Sequence, residues 1–498
     1  MNVNPITRLD YPDPDVIRVE DTYYMVSTTM HFMPGCEILQ SFDLVHWEHV
    51  TYVYETLDHT DAQQLKSGQN IYGQGMWAAS LRYHEGRFCI CFVANDTRKT
   101  YLYTSEKIDG PWKKQLIEGF YHDGSLLFDE DGRNYIVYGN DEIWITELNE
   151  DLTAPKKDGL HRLLVSDHKN PKLGYEGSHI QKINGYYYIF LIHSLRDRWM
   201  RTEACFYSDS LEGEFTGGDV LCDDRGYCGQ GVAQGGIVDT PDGKWYAMLF
   251  QDSGAVGRIP ILVPVTWKDH FPFFGQNGHV PEEIEVHSTR PGYIYQPLVG
   301  SDDFCNGLLP RWQFNHDPDP RYYHLDALQG TYTITTREVC TELTQAVNTL
   351  TQRMGYPSCA AEVTVDASAL KEGDVAGLCA LQSCYAAVGI TKHHGKYEVL
   401  MLDKKEDGIL DMTEGTVVES HQMDFRLEAD FCNMKDEARC YYRVNKGDWL
   451  PIGTVHKLYF KLDHFTGCRF GLFCYAAEET GGSACFRDFK YYDVDEIS

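Results

Sequence analysis

Short stretches of mixed hydrophobic and polar residues recur through the first half of the chain, each followed by a tight turn and a stretch rich in Tyr and Ile. The clearest copy covers residues 175–188, with the pair Asn184-Gly185 at its centre. An Asn-Gly pair between two such stretches is a strong β-hairpin signal. Four further copies occupy residues 12–26, 76–91, 122–138 and 233–247.

The spacing of these copies predicts a β-propeller. They lie roughly 45 to 65 residues apart, a separation typical of one four-stranded propeller blade. Each copy is followed by a second hairpin that completes four strands, and helical periodicity is nearly absent from this half of the chain. We therefore predict an all-β fold that begins with a five-bladed propeller over residues 1–297.

One position in each repeat is predicted to face the channel axis. In four copies it lies nine positions before the turn Gly, and in the first it stands at nearly the same offset from the turn. The first strand of each blade is nearest the axis, so equivalent positions should form a ring at one mouth of the channel. The residues at these positions are Asp13, Trp77, Asp123, Glu176 and Gln234.

The repeat stops near residues 290–304, and we place a domain boundary there. Beyond it, short strands recur at regular spacing with polar turns between them. This pattern is typical of a β-sandwich. We predict that residues 298–498 form such an accessory domain, which supports the propeller or edges its pocket.

Composition excludes several classes of partner. The net charge of -30 argues against nucleic acid and anionic membranes as partners, and no apolar run approaches the length of a membrane span. Residues 1–5 show no basic and apolar leader. The 16 cysteines lack metal-type spacing, which favours free thiols and a cytoplasmic location.

Three carboxylates in one ring, with Trp77 among them and Phe32 nearby in sequence, suit a sugar ligand. Glycoside hydrolysis needs one carboxylic acid to protonate the leaving oxygen and one carboxylate to act on the anomeric carbon. A third carboxylate makes the acid harder to deprotonate. Two alternatives stay open: polar channel residues that bind water or an ion, and a propeller that binds carbohydrate without catalysis.

The ordered motifs of the first domain resemble glycoside hydrolase family 43. They cover residues 4–6, 11–15, 23–28, 34–35, 41–47, 76–78, 123–132, 176–179 and 239–245. The second domain is similar to the C-terminal β-sandwich of that family's β-xylosidases at residues 302–304, 312–316, 348–353 and 488–489. The resemblance implies a five-bladed propeller, a concanavalin-like jelly-roll sandwich and an inverting mechanism.

The resemblance also implies roles for the three carboxylates. Asp13 would be the general base that activates water, and Glu176 the general acid that protonates the leaving sugar. Asp123 would hold the substrate and tune the acid. The implied reaction is release of terminal xylose from β-1,4-xylo-oligosaccharides. The alternative within the family is an α-L-arabinofuranosidase, or an enzyme with both activities.

The binding residues follow from the same resemblance. Arg258 matches an arginine that binds sugar hydroxyls, and Trp77 and Phe32 would wall the sugar subsite. Many relatives carry His where this chain has Gln234, facing calcium or a similar ion on the axis. A Gln carbonyl is a suitable ligand for a hard cation, although the chemistry requires no cofactor.

Each of these residues also has a simpler interpretation. Without the resemblance, Arg258 is an ordinary ion-pair arginine, Trp77 and Phe32 are core aromatics, and Gln234 lies hydrogen-bonded in a water-filled channel. From the second domain, Phe486 and Phe489 are the candidates to reach the pocket. The expected partner is a small oligosaccharide, and assembly into a homo-oligomer is compatible with the resemblance.

Overall fold

Five antiparallel sheets follow one another along the first part of the chain, which confirms the predicted propeller. The computed structural model describes residues 3–493, and within them there are 37 strands and four short 3-10 helices. The short helices are Lys66–Gly68, Gly254–Val256, Leu343–Gln345 and Cys432–Met434. None of the helices in this part of the chain has the length and apolarity needed to cross a membrane.

Each blade is one four-stranded sheet, except that the inner strand of the fifth is split in two. The first blade region contains β1 (Asp15–Val19), β2 (Thr22–Val26), β3 (Phe32–Met33), β4 (Gly35–Ser41) and β5 (Glu48–Tyr54). The second contains β6 (Met76–His84), β7 (Arg87–Ala94), β8 (Lys99–Ser105) and β9 (Lys113–Ile117). The third contains β10 (Ser125–Phe128), β11 (Asn134–Asn140), β12 (Glu142–Leu148) and β13 (His161–Ser166).

The last two blades have the same plan. The fourth contains β14 (Glu176–Ile183), β15 (Tyr186–Ser194), β16 (Arg201–Ser208) and β17 (Thr216–Leu221). The fifth contains β18 (Val232–Ala233), β19 (Ile237–Asp239), β20 (Trp245–Asp252), β21 (Arg258–Lys268) and β22 (Phe271–Phe274). Hydrophobic clusters fill the space between neighbouring blades, as where Tyr188 of β15 packs with Leu249 of β20 and Val263 of β21.

The hairpin predicted at residues 175–188 has the expected geometry. Ile183 of β14 pairs with Tyr186 of β15. Asn184 and Gly185 between them have φ angles of 51° and 85°. Positive φ at both central residues is the requirement of the hairpin turn that Asn-Gly favours.

Two packed sheets form the second domain, which confirms the predicted concanavalin-like sandwich. In chain order its strands are β23 (Gln313–Asn315), β24 (Tyr323–Asp326), β25 (Thr331–Thr335), β26 (Leu350–Arg353), β27 (Ser358–Asp366), β28 (Val375–Leu381), β29 (Ala386–His393), β30 (Lys396–Lys404), β31 (Leu410–Met412), β32 (Thr416–Val418), β33 (Gln422–Asp430), β34 (Glu437–Arg443), β35 (Leu450–Lys457), β36 (Arg469–Tyr475) and β37 (Ser483–Asp493). One sheet has the order β24-β25-β37-β27-β33-β34-β35. The other has β3-β23-β26-β36-β28-β29-β30-β31, with β32 also paired to β30.

The two domains share a sheet. Strand β3 comes from the first blade region, yet Met33 pairs with Phe314 of β23. An ion pair of 2.8 Å joins Arg353 Nη1 in the sandwich to Glu37 Oε2 in the propeller, and both side chains are buried. The domains are therefore joined by continuous hydrogen bonding and by buried charge. The predicted boundary at 297/298 falls in the connection between β22 and β23.

Candidate active site

The three predicted carboxylates come together at one end of the innermost strands. Asp13 lies just before β1, Asp123 just before β10, and Glu176 is the first residue of β14. The backbone amide of Gly177 donates a 3.0 Å hydrogen bond to Asp123 Oδ2. Asp123 also feels the charges of Asp13 and Glu176. The propeller therefore gathers at one mouth residues that are up to 163 positions apart in sequence.

An unusual backbone conformation recurs at these positions. Asp13, Asp123 and Gln234 have φ angles of 52°, 47° and 61°, and Gly177 has 64°. Residues with a Cβ adopt this left-handed region at a cost of about 1 kcal/mol or more. At Gly177 a Cβ would lie 2.7 Å from the side chain of Gln234, so Gly is required there. Strain of this kind concentrates at functional sites.

Asp13 is held as an acceptor by two donors. Thr28 Oγ1 donates to Asp13 Oδ2 at 2.6 Å, and Arg258 Nη1 donates to Asp13 Oδ1 at 2.9 Å. The Asp13 side chain is 8% exposed and that of Arg258 is 3% exposed. Charge-assisted hydrogen bonds to both oxygens stabilise the carboxylate form. This is the form that a general base needs.

His122 introduces a positive charge among the carboxylates. Its Nε2 lies 3.5 Å from Asp123 Oδ2 and 3.6 Å from Glu176 Oε2. Burial disfavours the charged imidazole, but the carboxylates of Asp123, Glu176 and Asp13 outweigh it and raise the pKa of His122 to about 9. Burial raises the pKa of Asp123 to about 6; Glu176 and Asp13 also raise it, whereas His122 and the Gly177 amide lower it.

Glu176 is the most accessible of the three carboxylates. Its side chain is 19% exposed, compared with 6% for Asp123 and 8% for Asp13. Asn140 Nδ2 donates a 2.9 Å hydrogen bond to Glu176 Oε2. A carboxyl group that is positioned by neighbours yet open to the pocket is suited to transfer a proton to a ligand.

Aromatic rings from both domains wall this mouth. The ring of Trp77 lies 5.8 Å from that of His122 and 5.6 Å from that of Phe465, which belongs to the second domain. The Arg258 guanidinium sits 4.2 Å from the centre of the Phe465 ring. Within residues 3–493, Trp77 Nε1 and Arg258 Nε are buried and have no hydrogen-bond partner. Buried donors without acceptors are costly.

Three residues of the predicted site lie elsewhere. Phe32 is 2% exposed, with the guanidinium of Arg469 3.4 Å above its ring. It is an interface residue, because β3 leaves the first blade to pair with the sandwich, and no ring face is left for a sugar. Phe486 and Phe489 are 0% and 1% exposed. Both belong to the sandwich core, so the prediction that they reach the pocket is wrong.

Several site residues escaped the sequence reasoning. His122 directly precedes a predicted ring position, which is a signal that could have identified it. Thr28 and Asn140 act through hydrogen bonds that no motif records. Phe465 lies in a loop of the second domain, between β35 and β36, and nothing in its local sequence indicates that the loop reaches the propeller.

The Gln234 side chain lies against Gly177, the residue that follows Glu176. Its backbone amide donates to Glu203 Oε2 at 2.7 Å. Within residues 3–493, the one group of three acidic or His ligand atoms close enough for a metal is His122, Asp123 and Glu176. Gln234 adds one carbonyl oxygen, whereas calcium takes six to eight oxygen ligands. These side chains alone do not form a calcium cage.

Relatives of known sequence align with about two thirds of the chain or more. A β-xylosidase of Formosa agariphila is 26% identical over 99% of this chain and 89% of its own length. An α-L-arabinofuranosidase of Bacteroides ovatus is 25% identical over 66% of this chain and 63% of its own. Among solved structures, a bifunctional GH43-CE protein of Bacteroides eggerthii is 42% identical, with a TM-score of 0.92. That alignment covers 98% of this chain, which spans only 63% of the longer protein.

Family models match both domains. Residues 301–492 match the β-xylosidase C-terminal concanavalin A-like domain. Residues 3–272, more than half of the chain, match the glycosyl hydrolases family 43 model. With the propeller, the sandwich and the site in agreement with these matches, the chain belongs to glycoside hydrolase family 43.

Proposed function

We propose that this enzyme is an inverting exo-glycosidase that releases terminal xylose from short β-1,4-xylo-oligosaccharides. The observation that carries the proposal is the contrast between Asp13 and Glu176. Asp13 is buried and receives hydrogen bonds on both carboxylate oxygens, whereas Glu176 is the more accessible. A carboxylate and an acid in different environments are what acid–base hydrolysis of a glycosidic bond requires, and the inverting course is proposed from the resemblance to family 43.

In the proposed reaction, Asp13 accepts a proton from a water molecule as its oxygen attacks the anomeric carbon. Glu176 donates its proton to the glycosidic oxygen as the bond from that oxygen to the anomeric carbon breaks. The attack from the opposite face inverts the anomeric configuration, so a β-linked xylose leaves as α-xylose. Asp123 accepts a hydrogen bond from a sugar hydroxyl, and Arg258 and Trp77 line the sugar subsite.

A second activity has support of its own. The Bacteroides ovatus relative is named an α-L-arabinofuranosidase, and a relative from Butyrivibrio fibrisolvens that is 23% identical is named a xylosidase/arabinosidase. Arabinofuranose presents hydroxyls in a geometry similar to that of xylose. We therefore propose α-L-arabinofuranosidase activity as the alternative, alone or together with the first. A propeller that only binds carbohydrate is disfavoured, because binding alone needs no matched acid and base.

The deciding experiment follows purified protein and xylobiose by proton NMR from the first minutes. Appearance of α-xylose before it mutarotates is expected. Initial β-xylose would overturn inversion. Intact xylobiose would overturn the xylosidase proposal, and arabino-oligosaccharides would then be assayed in the same way.

We further propose a cytoplasmic location, where substrates small enough to be imported are found. All 16 cysteines are free thiols, and 11 of them are buried, which suits a reducing compartment. Recovery of the activity from the culture medium of the producing cells would contradict this. Light scattering on the purified protein tests the expected homo-oligomer.

A further inference from the structure

An exposed tryptophan stands at the mouth that carries the carboxylates. The chain has nine tryptophans, all within residues 3–493, and Trp199 is the only exposed one among them, with 47% of its surface accessible to solvent. Scattered exposed apolar side chains are ordinary on protein surfaces. The position of Trp199 and the side chains that contact it indicate a role in ligand binding.

Strand register places Trp199 at the same end of the fourth blade as the proposed acid. Glu176 at the start of β14 pairs with Ile192 near the end of β15, and Ser194 at that end pairs with Arg201 at the start of β16. The loop 195–200 between these strands therefore projects from the same end of the fourth blade as Glu176. Trp199 lies in that loop, one residue away from the buried Met200 that precedes β16.

A chain of side chains connects Trp199 to the proposed base. The guanidinium of Arg201 lies 5.4 Å from the ring centres of both Trp199 and Phe250. The guanidinium of Arg258 also lies 5.4 Å from the centre of the Phe250 ring and donates a hydrogen bond to Asp13. The indole is thus held at the pocket rim by Arg201, which packs on the same Phe250 ring as the site residue Arg258.

Arg201 is itself fixed in place. Its Nε donates a 2.6 Å hydrogen bond to Asp252 Oδ2, and the two side chains are 11% and 15% exposed. A cation over an indole ring is attracted to the ring face by about 0.5–2 kcal/mol. The ring therefore has a supported face toward Arg201 and retains exposed surface that can contact a ligand.

We propose that Trp199 is the platform for the leaving-group sugar, the unit on the far side of the bond that is cleaved. The inference rests on the proposed function, because a general acid must lie on the leaving-group side of that bond. Glu176 and Trp199 belong to the same blade, so the departing unit is placed over this loop. The ligand class is a neutral pyranose whose apolar C–H face covers the indole, with hydroxyls directed to solvent.

The test compares two substrates that differ in the leaving group. Xylotriose has a sugar on that side, whereas β-xylosyl fluoride has none. In Trp199→Ala the ratio of kcat/KM for xylotriose to that for the fluoride is expected to fall about tenfold, as for removal of a binding hot spot. Trp199→Phe should recover part of the ratio, because it keeps an aromatic face. Tyr83→Ala, an aromatic of 44% exposure at the opposite end of β6, is the matched control.

An unchanged ratio in an otherwise active enzyme would overturn the platform alone. An equal loss for both substrates would also overturn it, since Trp199 would then act by shielding Arg201. The comparison is made in whichever series the wild type hydrolyses, xylose- or arabinose-based. Failure of the wild type in both series overturns the proposed function and the platform with it.

Discussion

The charge of His122 can be removed with little change of size by His122→Asn. The imidazolium lies 3.5 Å from Asp123 Oδ2. At that separation, two unit charges attract by about 1 kcal/mol in bulk water and by about 5 kcal/mol at an effective dielectric constant of about 20. The pocket lies between these limits, so loss of the charge should raise the pKa of Asp123 from about 6 by about 1–2 units.

The sign of the effect on activity follows from the state that Asp123 must adopt. Asp123 accepts a hydrogen bond from the substrate more strongly when it is ionised, so a higher pKa moves the acid limb of kcat/KM upward by the same 1–2 units. At pH 6, kcat/KM of the variant should be about tenfold lower than that of the wild type. This difference should shrink as the pH rises above about 8. In the wild type His122, with its pKa of about 9, stays protonated through this range.

The assay is kcat/KM for xylobiose between pH 4.5 and 9.5, with folding checked by circular dichroism at each end. His84→Asn is the matched control, because that side chain is 40% exposed at the opposite end of β6 and should leave the acid limb in place. An equal loss at every pH in His122→Asn would refute the reasoning, since the histidine would then act by packing or hydrogen bonding.

Three further outcomes are expected. Glu176→Gln should lower kcat on xylobiose by about 10²–10⁴-fold while calorimetry shows sugar binding retained; near-full activity would remove Glu176 from the role of acid. Phe465→Ala should raise KM by about tenfold, because Arg258 loses the ring 4.2 Å away and the pocket loses a wall; an unchanged KM would place the sugar away from the second domain. EDTA should leave activity unchanged, because the side chains around Gln234 do not form a calcium cage; a loss of activity that calcium restores would show an exchangeable ion there.

Repetition is what made much of the site predictable from the sequence. In a propeller, equal offsets from the turn become equal positions around one axis, so Asp123 and Glu176 could be aligned before any coordinates were known. The Asn184-Gly185 turn, whose φ angles match the expected hairpin, anchors that alignment. His122 was within reach of the same reasoning, one residue before a ring position.

Contacts between domains could not be predicted in this way. Phe32 is an aromatic residue of the kind that lines sugar subsites. However, β3 pairs with β23, and this pairing places the ring in the interface between the two domains. Phe465 is the opposite case. Its loop carries no recognisable motif, yet its ring packs against that of Trp77 in the pocket wall. Which face an aromatic side chain presents depends on the partner strand, and a single sequence does not specify pairing across 280 residues or more.

The sandwich is a structural part of the active site, and Asp10 shows how the two are joined. Asp10 Oδ1 accepts from the Arg258 amide at 2.8 Å, and Asp10 Oδ2 accepts from the Gly467 amide at 2.7 Å. One buried carboxylate thus fixes both the residue that bonds Asp13 and the loop that carries Phe465. The contact is close enough that a Cβ at Gly467 would lie 2.1 Å from a backbone oxygen of the propeller. Because the same group positions the base and the wall, a shift of the sandwich would disturb catalysis as well as binding.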